Sequence, residues 1–239
     1  EDAEKRFSED IPQDKFIYTR YGNPTIAMFE DKIATLEGAE AAFATASGMA
    51  AVNGALMSVL SSGDHIVAAR ALFGSCLYIL EKILPSFGVK VTFVDGTDID
   101  QWKGAITPQT NVVFFESISN PTLEVIDIKA VSEIAKSAGA ITIVDNVFTT
   151  PIFSNAFSLG ADVVIYSATK HIDGQGRTLG GVILGSADYI YNSVEPFMKH
   201  TGGAMSPFTG WVLLKGLETL DLRVRAQTSS AFAIAKALV

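Results

Sequence analysis

One short stretch, residues 163–176, joins residue types that could carry covalent chemistry. It reads VVIYSATKHIDGQG, a run of branched apolar residues followed by Ser167, Thr169 and Lys170 and then by a glycine-rich loop. Such a run predicts a buried strand, so the lysine would stand where the strand ends. A lysine in a partly desolvated site can act as an imine-forming amine, whereas most loop lysines are solvated charges. The stretch alone leaves both interpretations open.

Two further positions place polar groups next to predicted strands. Ser47, Gly48 and Met49 form a small turn before a predicted helix, where free N–H groups and the helix dipole favour a phosphate. A simple N-cap by Ser47 is the alternative. Asp145 follows four apolar residues, so its carboxylate needs a cation or hydrogen-bond donors to stay charged. It could cap a helix, bind a metal or a ribose, or hold the proton of a pyridine nitrogen.

Strand and helix patterns alternate along the chain. Apolar runs predict strands at 41–45, 65–69, 89–94, 111–115, 141–144, 163–166 and 182–184. Amphipathic spacing predicts helices at 28–36, 50–60, 75–87, 99–106 and 128–138, and a mainly helical region beyond residue 185. This alternation predicts an α/β fold with a mostly parallel sheet covered on both faces. Because ligands bind at the carboxyl ends of the strands in such sheets, we expect the strand-end polar residues to meet there.

Composition excludes several classes of partner. The 239 residues suffice for one large α/β domain, or one domain plus a fragment of another. A net charge of −8 argues against nucleic acid or an anionic membrane as the main partner.

Cys76 is the only cysteine, so no intrachain disulfide is possible. We predict no metal site, because His65, His171 and His200 lie far apart and no CxxC or HExxH pattern occurs.

The uncharged segment 41–63 is about as long as a bilayer-spanning helix. It contains three glycines and several polar residues, which divide it into a strand, a tight turn and a helix. The N-terminal sequence EDAEKRFSED is acidic and has no apolar signal-peptide core. We therefore expect a cytoplasmic protein that does not enter a membrane.

Two rival motifs are incomplete. Ser167-x-x-Lys170 matches the serine–lysine acylase pattern, but the Ser-Asp-Asn and Lys-Thr-Gly partners of that pattern do not occur. Gly174-x-Gly176 precedes a strand rather than opening a helix, so it falls short of a dinucleotide fingerprint. The combination of a phosphate-type turn, a strand-end acid and a strand-end lysine instead suits pyridoxal phosphate. That cofactor needs a phosphate anchor, a counter-charge for its ring nitrogen and an amine for its aldehyde.

On the basis of these residues, the sequence resembles the Cys/Met-metabolism family of pyridoxal-phosphate-dependent enzymes. The resemblance covers nearly all of the chain and implies the aspartate-aminotransferase-like fold, known as fold type I. The matching motifs are YTRYGNPT (18–25), SGMAA (47–51), SNPTLEVIDI (119–128), VDN (144–146), SATKH (167–171) and LKGLETLDLR (214–223).

The resemblance implies roles for residues around the cofactor ring. The lysine at the position of Lys170 is joined to the cofactor aldehyde and shuttles protons, and the acid at Asp145 pairs with the ring nitrogen. Asn120 matches an asparagine beside the ring hydroxyl. Phe73, within LFGSC (72–76), stands where most of the family has a tyrosine stacked on the cofactor. Phenylalanine can stack on the ring but cannot donate a proton.

The resemblance also implies how the cofactor phosphate is held. Backbone amides at Gly48 and Met49, together with hydroxyls at Ser167 and Thr169, bind it. Amides at the start of a helix suit this task because they have no acceptor within the helix.

Residues 1–24 resemble an arm that contacts a neighbouring subunit. Tyr18 and Arg20 match a pair that reaches that subunit's phosphate site, and an arginine fork suits phosphate oxygens. The resemblance implies a homo-oligomer, typically a dimer of dimers. Residues 25–220 are expected to form the large cofactor-binding domain, and residues 221–239 to begin an inter-domain helix. A small C-terminal domain, which holds the arginine for the substrate carboxylate, is expected to be missing.

The loop DGQGRTLGG (173–181) resembles the O-succinylhomoserine sulfhydrylase branch more than the lyases. The implied reaction is a γ-replacement in methionine biosynthesis, in which O-succinylhomoserine or O-acetylhomoserine and sulfide give homocysteine. Phe73 fits this, because a carboxylate (conjugate-acid pKa about 4) leaves unaided, whereas a thiolate gains from a general acid. Cystathionine γ-synthase and methionine γ-lyase remain alternatives. A serine–lysine hydrolase and a non-catalytic α/β protein are more distant ones.

Overall fold

The apolar runs of the sequence form the strands of one central sheet. The computed structural model describes residue 16 and residues 18–238, and within them the sheet has seven strands. They are β1 (Ala41–Thr45), β2 (His65–Ala69), β3 (Lys90–Val94), β4 (Thr110–Glu116), β5 (Ile141–Asp145), β6 (Val163–Ser167) and β7 (Gly181–Gly185). Their spatial order is β1-β7-β6-β5-β4-β2-β3. The two antiparallel pairings among these strands are those of β7 with β1 and with β6, and the other four are parallel, so the predicted mostly parallel sheet is confirmed.

Helices lie between most of the strands and follow the last one. They are α1 (Pro24–Glu37), α2 (Gly48–Met57), α3 (Gly74–Tyr78), α4 (Leu84–Ser86), α5 (Ile99–Ala105), α6 (Ile128–Ala138), α7 (Thr150–Phe153), α8 (Ala187–Tyr189), α9 (Glu195–Thr201), α10 (Pro207–Leu217) and α11 (Leu220–Leu238). A π-helical segment, Ile79–Ile83, joins α3 to α4, and another, Ile190–Val194, joins α8 to α9. Phe157–Leu159 is a 3-10 turn.

The first helix begins four residues before the predicted range 28–36. Asn23 caps it, because its Oδ1 accepts the amide of Thr25 at 3.0 Å, and Pro24 occupies the first turn, where no N–H is needed. Apolar spacing alone does not detect a start that is set by a cap. Gly38 ends the helix in the left-handed conformation, with φ 79°, as predicted.

The sheet is buried on both faces. Phe114 and Phe115 are neighbours on β4 that point to opposite faces, and both are fully buried. Phe115 packs with Trp102 of α5 on one side, and Phe114 belongs to the cluster around Leu56 of α2 on the other. Two buried faces require strands that are apolar throughout, which is the pattern seen in the sequence.

The last helix leaves most of its surface open. Leu220 and Val224 are its buried residues, and the side chains described from residue 225 onward are exposed.

Among the described residues, none of the helices has both the length and the apolar character needed to cross a membrane. Segment 41–63 instead forms β1, a turn and α2, as predicted. Most of the predicted arm 1–24 lies outside the described residues, and the predicted division into 25–220 and 221–239 stays a prediction.

Helix α1 ends in a buried carboxyl group. Glu37 is 1% exposed, and the hydroxyl of Tyr166 on β6 donates to its Oε2 at 2.6 Å. Its Oε1 has no hydrogen-bond partner among the described residues. Burial raises the pKa of Glu37 to about 7, against the opposing effect of the Tyr166 hydrogen bond. Asn146 donates to the same hydroxyl at 2.7 Å, so α1 is tied through Tyr166 to the residue that follows β5.

We expect Glu37→Gln to change the pH dependence of stability. The pKa of Glu37 is higher in the folded than in the unfolded chain. Its stabilising contribution is therefore complete below about pH 4 and is lost as the pH rises through about 7. When the pH is raised from about 5 to about 8, the parent should lose about 1–3 kcal/mol more of its free energy of unfolding than the variant does. Urea titrations at both pH values measure this, and parallel pH profiles would contradict it.

Candidate active site

The carboxyl ends of the parallel strands open onto a cavity of about 660 Å³. Turns and loops that follow β1, β2, β4, β5 and β6 contribute to its wall. Eight of the ten predicted site residues line it: Gly48, Met49, Phe73, Asn120, Asp145, Ser167, Thr169 and Lys170. The expectation that strand-end polar residues meet at one edge of the sheet is therefore confirmed.

The start of α2 lies against the end of β6 and contributes backbone amides to the site. Ser47 caps α2, since its Oγ accepts the amide of Ala50 at 3.1 Å, so the N-cap interpretation also holds. The amides of Gly48 and Met49 lie in the first turn, where N–H groups have no acceptor within the helix. A Cβ atom at Gly48 would lie 2.6 Å from Cβ of Ser167. Only glycine lets the start of α2 come this close to the end of β6.

Lys170 lies in the turn that follows β6. Its amide donates to the carbonyl of Ser167 at 3.2 Å, and its carbonyl accepts the amide of Gly174 at 2.7 Å. The hydroxyl of Thr169 accepts the amide of Gly180 at 3.1 Å and lies 3.3 Å from the carbonyl of the same residue. The backbone of the turn is thus fixed on both sides, while the side chain of Lys170 is exposed at the cavity.

Asp145 is the last residue of β5. Burial and, to a smaller extent, the charge of Glu116 raise its pKa to about 7, although the Val147 amide, which donates to Oδ1 at 3.0 Å, opposes the shift. No basic side chain in the described part of the chain forms a salt bridge with Asp145. A carboxylate held in this way would be stabilised by a cation in the cavity, such as a protonated ring nitrogen.

Glu116 has a positioning role that sequence reasoning did not assign. It is 4% exposed at the end of β4, and its two carboxylate oxygens accept the amides of Phe73 at 2.6 Å and Asn120 at 2.7 Å. Burial raises the pKa of Glu116, and these two hydrogen bonds oppose the shift. The available signal was an acid that directly ends an apolar strand, the same signal that marked Asp145.

The structure also brings together three groups that no sequence motif connects. Ligand atoms of Cys76, Glu116 and Asp145 lie within 4.8 Å of one another. Burial, with the charges of Asp145 and Glu116, raises the pKa of the Cys76 thiol well above its usual range. The prediction of no metal site used short motifs, which cannot detect a cluster assembled from three separate elements. The thiol stays protonated here and carries no charge of its own.

Two predicted residues lie outside the main cavity. The guanidinium of Arg20 donates to the carbonyl of Lys199 and stacks 4.7 Å from the ring centroid of Tyr21 and 5.3 Å from that of Tyr18. Arg20 lines a separate cavity of about 510 Å³ beside α1 and β1, and Tyr18 is 57% exposed. Within one chain, these residues do not join the other eight.

The polar groups that line the cavity fit one cofactor. An amine, a carboxylate without a cationic partner and the amino end of a helix face the same cavity, and these match the aldehyde, ring nitrogen and phosphate of pyridoxal phosphate. The sheet that carries them is that of pyridoxal-phosphate-dependent enzymes of fold type I.

Solved structures share this fold. Cystathionine γ-lyase from Lactobacillus plantarum, in complex with L-serine, has a TM-score of 0.91 at 34% identity over 97% of this chain and 60% of its own. A Campylobacter jejuni protein described as an O-acetylhomoserine (thiol)-lyase has a TM-score of 0.90 at 29% identity over 98% of this chain and 66% of its own. It was solved with a pyridoxyl-lysine monophosphate.

The chain belongs to the Cys/Met metabolism PLP-dependent enzyme family, whose sequence profile matches residues 1–239. It is 55% identical to O-succinylhomoserine sulfhydrylase of Mycobacterium tuberculosis over 99% of this chain. It is 47% identical to the enzyme of the same name from Pseudomonas aeruginosa over 98% of this chain. L-methionine γ-lyase of Porphyromonas gingivalis is 38% identical over the whole chain and 60% of its own length. The chain spans 58% of the length of either sulfhydrylase.

Proposed function

We propose that the full protein catalyses a γ-replacement in methionine biosynthesis, in which O-succinylhomoserine or O-acetylhomoserine and sulfide give homocysteine. The observation that carries the proposal is the meeting of Lys170 and Asp145 in one cavity, in a chain that is 55% identical to a sulfhydrylase. The implied substrates are a small amino acid ester and sulfide, and the implied compartment is the cytoplasm.

In this proposal Lys170 transfers protons and Asp145 stabilises the charge of the ring. Nζ of Lys170 would hold the cofactor through its aldehyde and, once free, would accept the proton that leaves Cα of the substrate. Bound pyridoxal phosphate supplies the electron sink for the pair left at Cα. The Asp145 carboxylate keeps a proton on the ring nitrogen, which a neutral side chain would do less well. The Lys170 amine would also take a proton from Cβ. The Cγ–O bond would break as the acyl group departs with its electron pair as a carboxylate, hydrosulfide would form the new Cγ–S bond, and the amine would return protons to Cβ and Cα.

Four residues of the chain would hold the cofactor phosphate: Gly48 and Met49 through their amides, and Ser167 and Thr169 through their hydroxyls. All four line the cavity, and Gly48 lies close to Ser167, which supports this assignment. Asn120, whose amide is fixed by Glu116, would lie beside the ring hydroxyl.

Tyr18 and Arg20 are proposed to serve the site of a neighbouring subunit. Both lie outside the cavity of their own chain, although the guanidinium fork of an arginine suits phosphate. This assignment requires a homo-oligomer, for which we propose a dimer of dimers. Size-exclusion chromatography coupled to light scattering of the full protein tests it.

Phe73 is proposed to stack on the cofactor ring and to favour a carboxylate leaving group. It is 44% exposed at the cavity, and Glu116 holds its amide. We expect Phe73→Tyr to raise methanethiol release from methionine by about 10²-fold, because a phenol can protonate a departing thiolate. Sulfide addition to the ester should change little. A thiol reagent follows methanethiol release, and chromatography of homocysteine follows sulfide addition. Strong lyase activity in the unsubstituted protein would defeat this account of Phe73.

Product analysis separates the candidate reactions. The full protein, loaded with pyridoxal phosphate, is given O-succinylhomoserine or O-acetylhomoserine with either sulfide or cysteine. Homocysteine from sulfide supports the proposal, whereas cystathionine from cysteine would favour cystathionine γ-synthase. Acylation of Ser167 by an ester probe without any bound cofactor would indicate a serine–lysine hydrolase. A protein that binds no cofactor would be a non-catalytic member of the fold.

A further inference from the structure

Arg223 of α11 reaches back to the loop that carries Lys170. Its Nη1 donates to the carbonyl of His171 at 2.8 Å, and its Nη2 donates to those of Ile172 at 3.3 Å and Gly216 at 2.8 Å. Its Nε donates to the Thr219 hydroxyl at 3.0 Å. The guanidinium therefore binds the two carbonyls that directly follow Lys170, from a position 52 residues later in the chain.

Two glycines make this approach possible. A Cβ atom at Gly174 would lie 1.8 Å from Nη1 of Arg223, and the backbone there has φ +71°. A Cβ atom at Gly216 would lie 2.1 Å from the carbonyl oxygen of Ile172. The loop after Lys170 is thus held against the α10–α11 junction at a distance that larger residues would not allow.

The other side of the same loop is fixed internally. Asp173 is fully buried, and its carboxylate accepts the amide of Arg177 at 2.8 Å, the Nε of Arg177 at 2.9 Å and the amide of Gln175 at 3.2 Å. Its own amide donates to the carbonyl of Ala168 at 2.9 Å. The carbonyls of residues 171 and 172 accept hydrogen bonds from outside this loop, from the side chain of Arg223 on α11.

We propose that Arg223 is a positioning residue that sets the backbone next to Lys170, and through it the direction of the Lys170 amine. This rests on the proposed role of Lys170. Because Arg223 belongs to α11, the position of that helix is coupled to the reactive amine. Gln227, one turn further along α11, lines the cavity itself. The helix therefore contacts the lysine loop through Arg223 and the cavity through Gln227.

The test uses the full protein loaded with pyridoxal phosphate. Arg223→Met removes the fork, Arg223→Lys keeps the charge without the fork, and Arg225→Met is the matched control. Arg225 lies on the same helix and forms an exposed pair with Asp221 at 2.8 Å. For each protein we would measure kcat, the KM for the ester, the visible absorbance of the cofactor–lysine adduct against pH, and the melting temperature.

We expect kcat of Arg223→Met to fall by about 10²-fold, with a much smaller change in KM, because displacement of a reacting group by about 1 Å costs a factor of this size. The pH midpoint of the absorbance should shift, because the surroundings of the amine change. Arg223→Lys should recover part of kcat and of the midpoint, and Arg225→Met should match the parent.

A lower melting temperature with unchanged kcat and an unchanged midpoint would overturn the proposal, since Arg223 would then act on stability alone. If Arg223→Met fails to fold, the same comparison is made with Arg223→Lys, and parent values for its kcat and midpoint would overturn the proposal. Failure of the proposed function looks different: the parent itself would lack a visible band that borohydride reduces at Lys170.

Discussion

Lys170→Ala is expected to lower homocysteine formation by about 10⁴-fold, the upper end of what a positioned general acid or base contributes. The side chain is exposed at the cavity and makes no salt bridge within the described residues. Its removal should therefore leave the free energy of unfolding of the cofactor-free protein nearly unchanged. The loss of rate would then be a loss of chemistry and not of structure.

Three measurements define this result. Turnover of O-succinylhomoserine with sulfide gives the rate, borohydride reduction followed by mass analysis gives the site of covalent attachment, and urea unfolding gives stability. Lys215→Ala is the matched control, because Lys215 is a half-exposed lysine paired with Glu218 at 2.7 Å, away from the cavity. If Lys170→Ala kept a borohydride-reducible band, the amine would be a different one and the proposed function would be wrong.

Asp145→Asn is expected to have opposite effects on activity and on the stability of the cofactor-free protein. Turnover should fall by about 10²–10³-fold, the usual cost of removing one preorganised electrostatic partner at a reacting site. The asparagine keeps the size of the side chain and an oxygen for the Val147 amide. The loss would therefore reflect the missing charge opposite the ring nitrogen.

The effect on stability follows from the pKa of Asp145. Burial raises it to about 7 in the folded chain, above the unfolded value of about 4. The contribution of Asp145 to stability is therefore complete below about pH 4 and is lost as the pH rises through about 7. Without cofactor, Asp145→Asn should be more stable than the parent by about 1–3 kcal/mol at about pH 8, with a smaller gain at about pH 5.

Asp162→Asn is a suitable control for the carboxylate. Desolvation also raises the pKa of Asp162, and its Oδ2 accepts the Thr142 amide at 2.8 Å, near the opposite end of β5. Its replacement should alter stability but not turnover or cofactor binding. Equal losses of turnover in the two variants would mean that Asp145 acts through the fold and not through the cofactor.

The arrangement of predicted site residues followed from strand periodicity. Three of the predicted apolar runs are followed directly by a polar residue that lines the cavity: Glu116, Asp145 and Ser167. Parallel strands present their carboxyl ends at one edge of the sheet, so local patterns were sufficient to predict which residues meet. Apolar spacing did not give the helix boundaries, since the start of α1 depends on the cap at Asn23.

Contacts between distant parts of the chain had no local signal. Glu116 binds the amides of Phe73 and Asn120, and Arg223 binds the carbonyls after Lys170. The strand-end position of Glu116 is visible in the sequence, but the partners of Glu116 and Arg223 are not. Such contacts depend on how strands and helices pack once the sheet has formed.

The sequence by itself determined the fold class, the edge of the sheet that holds the site and the chemical types that meet there, because strand periodicity and strand-end polarity are local properties of the chain. Only the tertiary structure decided which backbone groups are held by Glu116, and that α11 is bound to the lysine loop. It also decided that Tyr18 and Arg20 stay out of the cavity of their own chain. The physical reason is that hydrogen-bond partners far apart in sequence are selected by packing geometry, which no short pattern encodes.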